Sequence, residues 1–465
     1  MTKPRVKESG LFEQGCMKFK GVLLISAITL FMLVGLSSYS QGQARANQDK
    51  LDQATKDKVI NWVIEELNDN YVYPEVAKKM AEHVRKLNEE NKYQQLGSLS
   101  ALTAALTEDL LSICNDKHLR VRINPNPPPP DTASDEEREQ RLKAKIESER
   151  IENFTFKKVE RLAGNVGYLR FDIFLDATYA GDTAVSAMNF LANCDALIID
   201  LRYNGGGQGN MIQLILSYFF DEPVHYNNMY LRNRDVTEQK WTSAYVSGPK
   251  LSDVELFVLT SGRTFSAAEE FTYDLKNLDR ATIIGQTTGG GAHPVKYHYL
   301  RELDVELKIP YGRSFNPKTG LDWEVVGIKP HIKTTVDEAF DKAYLLALKN
   351  LYENAAEGQK GARKWAWEYQ QAILDPEEVD ANILQTYVGE YGPARVILEQ
   401  DELLVFEPGE SGAKRLCALS EILFAIEGNE NMRIEFEKNA AGKVIGAIGI
   451  AVNGARQQIP KTKAP

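Results

Sequence analysis

A hydroxyl at the mouth of a helix is the first candidate for chemistry in this chain. Ser266, in "TSGRTFSAAEEF" (260–271), follows the apolar run 256–259 and leads into Phe271, Leu275 and Leu278, which share one helical face. Free backbone N–H groups and the positive dipole end at a helix start stabilise negative charge on a neighbouring oxygen, which suits a nucleophile. The plainer reading is a capping box, because Glu269 stands three residues further on. The second candidate is "IIDLRYNGGGQGN", where Gly205, Gly206 and Gly207 let backbone N–H groups approach a ligand with no Cβ in the way. A flexible loop is the plain alternative there. No Lys-Ser or Lys-Thr follows the glycines, so a phosphate cradle is disfavoured.

A hydroxyl nucleophile needs a base within hydrogen-bond reach and a carboxylate to orient that base. The chain offers six histidines. His83 falls on the surface of an amphipathic helix, and His225 and His331 stand among prolines and turns. His293 and His298, in "GAHPVKYHY", have no third ligand at a suitable spacing, so neither a metal nor another cofactor is expected. His118, in "CNDKHLRVRI", lies where a helical region meets a strand, a place that can project a side chain into a cleft; a structural role remains open. Glu324, in "GLDWEVVGIKP", is a carboxylate beside a Trp at a Gly- and Pro-bounded strand end, and is ambiguous by itself.

The elements that must position these groups follow from composition and periodicity. With 465 residues, 43% hydrophobic and 26% charged, the chain has room for two or three domains. A net charge of -10 without a concentrated basic patch argues against a nucleic-acid partner. Residues 1–46 read as a signal peptide: Lys18 and Lys20 precede the apolar run 22–36, and "SSYSQGQARA" suits cleavage near Ala44 or Ala46. Export to a periplasm or beyond is expected, with no stable membrane insertion after cleavage. The four cysteines are dispersed and imply no disulfide framework.

Residues 47–124 form a helical domain, with Val59, Val63 and Leu67, then Val76, Met80, Val84 and Leu87, then Leu102, Leu106 and Leu110 at helical spacing. Residues 125–150, proline-rich and then charged, read as a linker or lid. Residues 151–350 alternate strands with helices, which implies a largely parallel sheet covered by helices in an α/β fold. A helical connector (351–380) leads to a small antiparallel β domain (381–465), with hairpin turns at Gln400-Asp401 and Ala441-Gly442.

Taken together, "NDKHLRV", "GYLRFDIF", "IIDLRYNGGG", "LTSGRTFSAAEEFTYDLKNLDRATIIGQTTGGGA" and "NPKTGLDWEVVGIKPHI" resemble the tail-specific, or C-terminal processing, serine peptidases. The nearest branch holds the tricorn core peptidase and the interphotoreceptor retinoid-binding protein. The region after 380 resembles small lipocalin-like domains appended to secreted hydrolases. The resemblance implies a crotonase-like ββα core. It makes Ser266 the nucleophile, His118 the general base and Glu324 the orienting carboxylate, with the N–H groups of Ala267 and of the glycine loop as oxyanion hole, Gly206 first and Gly205 and Gly207 close behind it, and with Gly205 and Gly207 binding substrate. It further implies an exported serine peptidase acting on oligopeptides or unfolded proteins through an acyl-enzyme. A non-catalytic binding module for small hydrophobic ligands is the alternative.

Three departures from the family pattern stand out. Gly291 occupies the position of the lysine in a Ser–Lys dyad, and Lys117 replaces a Ser that precedes the histidine in the tricorn branch. The stretch after His118 is also too short for a PDZ domain, the usual reader of substrate C-termini.

Overall fold

A computed structural model describes residues 51–463 apart from 131, 133, 410 and 411. The expected signal peptide and Cys16 lie outside the described residues. Helices α1 (Gln53–Asn70), α2 (Pro74–Glu89) and α3 (Leu99–Cys114) start on clear signals. The Asp52 side chain accepts the Thr55 N–H at 2.7 Å, Pro74 opens α2, and Ser98 Oγ accepts the Ala101 N–H at 3.2 Å. Their apolar stripes, Val59, Val63, Leu67, Met80, Val84, Leu102, Leu106 and Leu110, close into one core with no exposed surface. Asn115 ends α3 in the left-handed conformation (φ 52) and turns the chain through Asp116–His118 into β1 (Arg120–Ile123). Beyond the proline tract, α4 (Asp135–Ile151) begins with a Ser134–Glu137 capping box and buries none of its residues.

The central unit contains β2 (Phe156–Leu162), β3 (Val166–Phe171), α5 (Ala177–Phe190), β4 (Ala196–Asp200), α6 (Gly209–Leu216), β5 (His225–Leu231), β6 (Val236–Trp241) and β7 (Glu255–Thr260). It continues through α7 (Ala267–Asn277), β8 (Thr282–Gly285), β9 (Val295–Leu300), β10 (Val305–Pro310), β11 (Gly312–Phe315), β12 (Ile332–Lys333) and α8 (Glu338–Glu353). The main sheet has the order β12-β8-β7-β4-β3-β2, parallel throughout except for β2 at the edge. Helices cover both faces, so β4 reads as an unbroken buried run, "ALIID". Leu197, Ile199 and Val258 point toward α5, α6 and α7, while Ile198, Phe257 and Leu259 point toward Ala343, Ala347 and Leu348 of α8.

A second sheet, β1-β10-β9, is antiparallel. Its apolar face, with Val121, Leu300, Val305, Leu307 and Ile309, completes the core of the helical bundle, so β9 and β10 pack with the N-terminal unit although they fall within 151–350. A third sheet runs β11-β5-β6.

After α9 (Glu357–Leu374) and α10 (Ala381–Tyr387) the chain forms a closed antiparallel barrel. Its strands are β13 (Gly389–Tyr391), β14 (Ala394–Glu399), β15 (Glu402–Phe406), β16 (Ala413–Ala418), β17 (Leu423–Ile426), β18 (Asn429–Lys438), β19 (Val444–Ala451) and β20 (Arg456–Lys463). Gln400 and Asp401, both at positive φ (50 and 63), make the expected tight hairpin. Phe424, Phe436 and Tyr387 fill the interior, with Tyr387 stacked on Phe436 at 4.2 Å. No described helix is long and apolar enough to cross a membrane.

Candidate active site

Parallel strands deliver their chemistry at their carboxyl ends, and here β4 and β7 lie side by side. The small, hydroxylated residues after β7 lash its loop to the end of β4. Thr264 Oγ1 donates to the Leu201 carbonyl at 2.8 Å and accepts the Ser261 N–H at 2.9 Å, while Ser261 Oγ bonds the Arg202 carbonyl. The Phe265 N–H donates to the Asn204 carbonyl at 3.1 Å. Ser266 is thereby held at φ 54, ψ -122, a conformation that L-residues avoid and that persists only where its surroundings over-determine it.

Glu269 supplies much of that determination. Fully buried, its carboxylate accepts from Ser266 N at 2.9 Å, Gly290 N at 2.7 Å, Gly291 N at 2.8 Å and Thr288 Oγ1 at 2.5 Å. The capping residue read from the sequence is therefore also the clamp that fixes the 289–291 loop against the Ser266 turn.

The glycine run meets Ser266 from the other side. A Cβ on Gly206 would lie 2.7 Å from Ser266 Cβ and 2.8 Å from the Phe265 carbonyl, so only glycine fits. Here the expected oxyanion donor needs correction: the Gly206 N–H is spent on Asn204 Oδ1 at 2.9 Å, with the Asn204 amide anchored on the Phe171 carbonyl. Among the described residues the N–H groups of Gly207 and Ala267 have no partner, and both residues line a cavity of about 870 Å³ together with Gly205, Ser266 and His118.

His118 is 2% exposed, with its ring 4.6 Å from that of Phe265, the residue before Ser266. Its Nδ1 has no hydrogen-bond partner, and neither does Oε1 of Glu324, another buried atom. Asp116, His118 and Glu324 each place one ring nitrogen or carboxylate oxygen within 4.8 Å of the others, a spacing that a divalent cation would also accept. Burial, followed by the charge of Lys308, pushes the His118 imidazole down to about 3, so the ring is neutral at ordinary pH. Burial, followed by the charge of Asp116, pushes the Glu324 carboxyl up to about 7.

Sequence reasoning did not single out Asp116 and weighed His293 only as a metal ligand. Asp116 Oδ1 accepts the backbone N–H of His118 at 3.0 Å; Oδ2 lies 2.7 Å from His293 Nδ1 and accepts the Tyr71 hydroxyl at 3.2 Å. His293 Nδ1 also stands 3.5 Å from Glu324 Oε2, which accepts the Ala292 N–H at 2.5 Å. Burial opposes both charges of the Asp116–His293 pair, yet mutual attraction holds Asp116 below the usual carboxylate range and His293 above its ordinary value. The available signal was the spacing of Asp116 two residues before His118, which is that of an Asx turn. His298 turns away to Glu66, 2.6 Å from its carboxylate, so it shares no site with His293.

The departures from the dyad pattern have steric and polar causes. A Cβ on Gly291 would lie 2.4 Å from the Phe265 ring and 2.7 Å from His118 Cε1, so no lysine fits there. Lys117 bonds the Gly289 carbonyl, tying the His118 segment to the same loop.

A serine in a strained turn, a buried neutral histidine and two unpartnered backbone N–H groups thus line one cavity at the carboxyl ends of parallel strands, the kinds of group that serine hydrolases use. Residues 165–334 match the family model "Peptidase family S41", and residues 52–157 match "N-terminal domain of Peptidase_S41 in eukaryotic IRBP". The chain belongs to the S41 family of tail-specific proteases. It is 24% identical over 208 residues to the tricorn protease of Thermoplasma volcanium, an alignment covering 41% of this chain and 18% of that much longer protein. A putative peptidase from Parabacteroides merdae is similar in shape, with a TM-score of 0.46 at 16% identity, covering 67% of this chain and 100% of that one. For the photosystem II D1 C-terminal processing protease the TM-score is 0.39 at 14% identity, covering 61% of this chain and 94% of that one.

Proposed function

We propose that this chain is an exported serine peptidase that hydrolyses oligopeptides or unfolded proteins through Ser266, His118 and Glu324. Neutral His118 takes the Ser266 hydroxyl proton as Oγ attacks the scissile carbonyl, and Glu324 orients the ring and stabilises the imidazolium that forms. The carbonyl oxygen, now negative, turns toward the N–H groups of Gly207 and Ala267 at the start of α7. Collapse expels the amine, which leaves with the proton from His118, and the acyl-enzyme remains. Water, deprotonated by His118, then releases the acid and restores Ser266. Export rests on the pattern of residues 1–46.

The observation that carries this reading is the meeting of Ser266, in its strained turn, with His118 in one cavity, where His118 Nδ1 and Glu324 Oε1 are both buried and unpartnered. The test is labelling of the folded protein by a fluorophosphonate, followed by peptide turnover on the same preparation. Wild type is expected to be labelled and Ser266→Ala not. A folded wild type that neither labels nor hydrolyses any peptide overturns the enzyme in favour of a binding module.

A further inference from the structure

Lys308 lies on β10, on the face opposite Leu307 and Ile309, whose side chains enter the helical core. It lines the same cavity as Ser266 and His118 and is half-buried. The acids around it are already engaged. Arg122 and Asn124 each bond Glu306 at 2.6 Å, and Asp116 holds His293 at 2.7 Å. The other lysine and arginine lining the cavity, Lys240 and Arg234, both pair with Glu238. Among the described residues the side-chain ammonium of Lys308 has neither an ion pair nor a hydrogen bond.

A half-buried ammonium with no anion in direct contact is costly, and such groups normally find a counter-charge. Its position says where one would come from. The base that protonates the departing amine must face the departing fragment, so that fragment lies on the His118 side of the scissile bond. Lys308 is on that side: on the neighbouring strand it stands opposite Arg120, two residues past His118, and both Lys308 and His118 line the cavity.

We propose that Lys308 binds a carboxylate on the fragment released by cleavage, either its terminal α-carboxylate or an acidic side chain close to the scissile bond. This rests on the peptidase reading and adds the chemistry of the substrate to it. It assigns that selection to a residue of the active-site wall.

The experiment uses full-length protein and one peptide series that shares the acyl side. The leaving side carries a free α-carboxylate, an amide, or an amide preceded by Asp. Wild type is expected to show kcat/KM at least about tenfold higher for one or both carboxylate-bearing peptides than for the neutral amide, mostly through KM. Comparing the first and third peptides identifies the source of the carboxylate. Lys308→Met should bring the ratio close to one, and Lys308→Arg should restore much of it. A wild-type ratio near one, a ratio unchanged in Lys308→Met, or an equal loss on all three peptides overturns the proposal. Fluorophosphonate labelling separates this from the parent reading: an enzyme that labels without preferring carboxylates sinks the role of Lys308 alone.

Discussion

Oδ2 of Asp116 lies 2.7 Å from Nδ1 of His293, and this buried pair braces the segment carrying His118 against the 291–293 loop. One oxygen of Asp116 holds the His118 turn and the other holds the loop whose next contact is Glu324. Removing the carboxylate strands a buried histidine. Asp116→Asn is expected to cost about 3–5 kcal/mol of stability, the usual result of breaking a buried pair from one side, and to lower kcat/KM as His118 loses its support. Denaturant midpoints and turnover, taken on one preparation, check this; a variant as stable and as active as wild type removes the brace.

Ser266 combines the proposed nucleophilic role with a conformational strain. Its N–H is capped by Glu269, and the Glu269 N–H in turn donates to the Ser266 carbonyl at 2.8 Å, so the helix start does not rest on the hydroxyl alone. Ser266→Ala should therefore keep stability within about 1 kcal/mol. Ser266→Gly should gain about 1 kcal/mol, because glycine accepts a positive φ without strain. Both should lose turnover by a factor on the order of 10⁴ or more. Melting curves and peptide hydrolysis are the measurements; a Ser266→Ala enzyme that still turns over removes Ser266 as nucleophile.

Gly291 is where a Ser–Lys enzyme would carry its lysine, and the space belongs instead to Phe265 and His118. Gly291→Lys is expected to destabilise the fold by several kcal/mol through overpacking of a buried site and to abolish turnover. Gly291→Ala should show the same signs to a smaller degree. If Gly291→Lys kept activity after His118→Ala, the site would be able to run on a lysine base.

Much of this architecture was legible because it follows from short-range rules. Helical spacing marked Val59, Val63 and Leu67; the buried run of β4 marked a parallel sheet; Gln400-Asp401 marked a hairpin. The glycine run and Ser266 were visible as strand ends. Partners set by the tertiary fold were not visible. Gly206 sits closest to Ser266, but only the orientation of Asn204, itself anchored on β3, shows that its N–H is spent. Lys308 is an ordinary alternating residue of a strand until β10 is placed beside β1, with Lys308 opposite Arg120. Asp116 and His293 are 177 positions apart, and no local pattern links them. The barrel closes only through the pairing of β13 with β20, another long-range contact.

The pH profile depends on which group titrates in the working range. Burial and Lys308 depress His118 to about 3, so the ring is neutral from moderately acidic pH upward and produces no inflection near 6.5. Glu324 goes the other way: burial and Asp116 raise its carboxyl to about 7, so it is protonated below that pH and charged above it. Only the charged form stabilises the imidazolium formed during acylation, so kcat/KM should fall as pH drops through about 7. Glu324→Gln resembles the protonated form at every pH. It should have a lower plateau, milder than the loss in His118→Ala, and no inflection near 7. His293 also faces Glu324, beside Asp116 and Asp322, and its raised value reflects the Asp116 partner, which outweighs burial. A His293→Gln enzyme that keeps the inflection while Glu324→Gln loses it assigns the limb to Glu324; the reverse pattern assigns it to His293 and overturns the orienting role of Glu324.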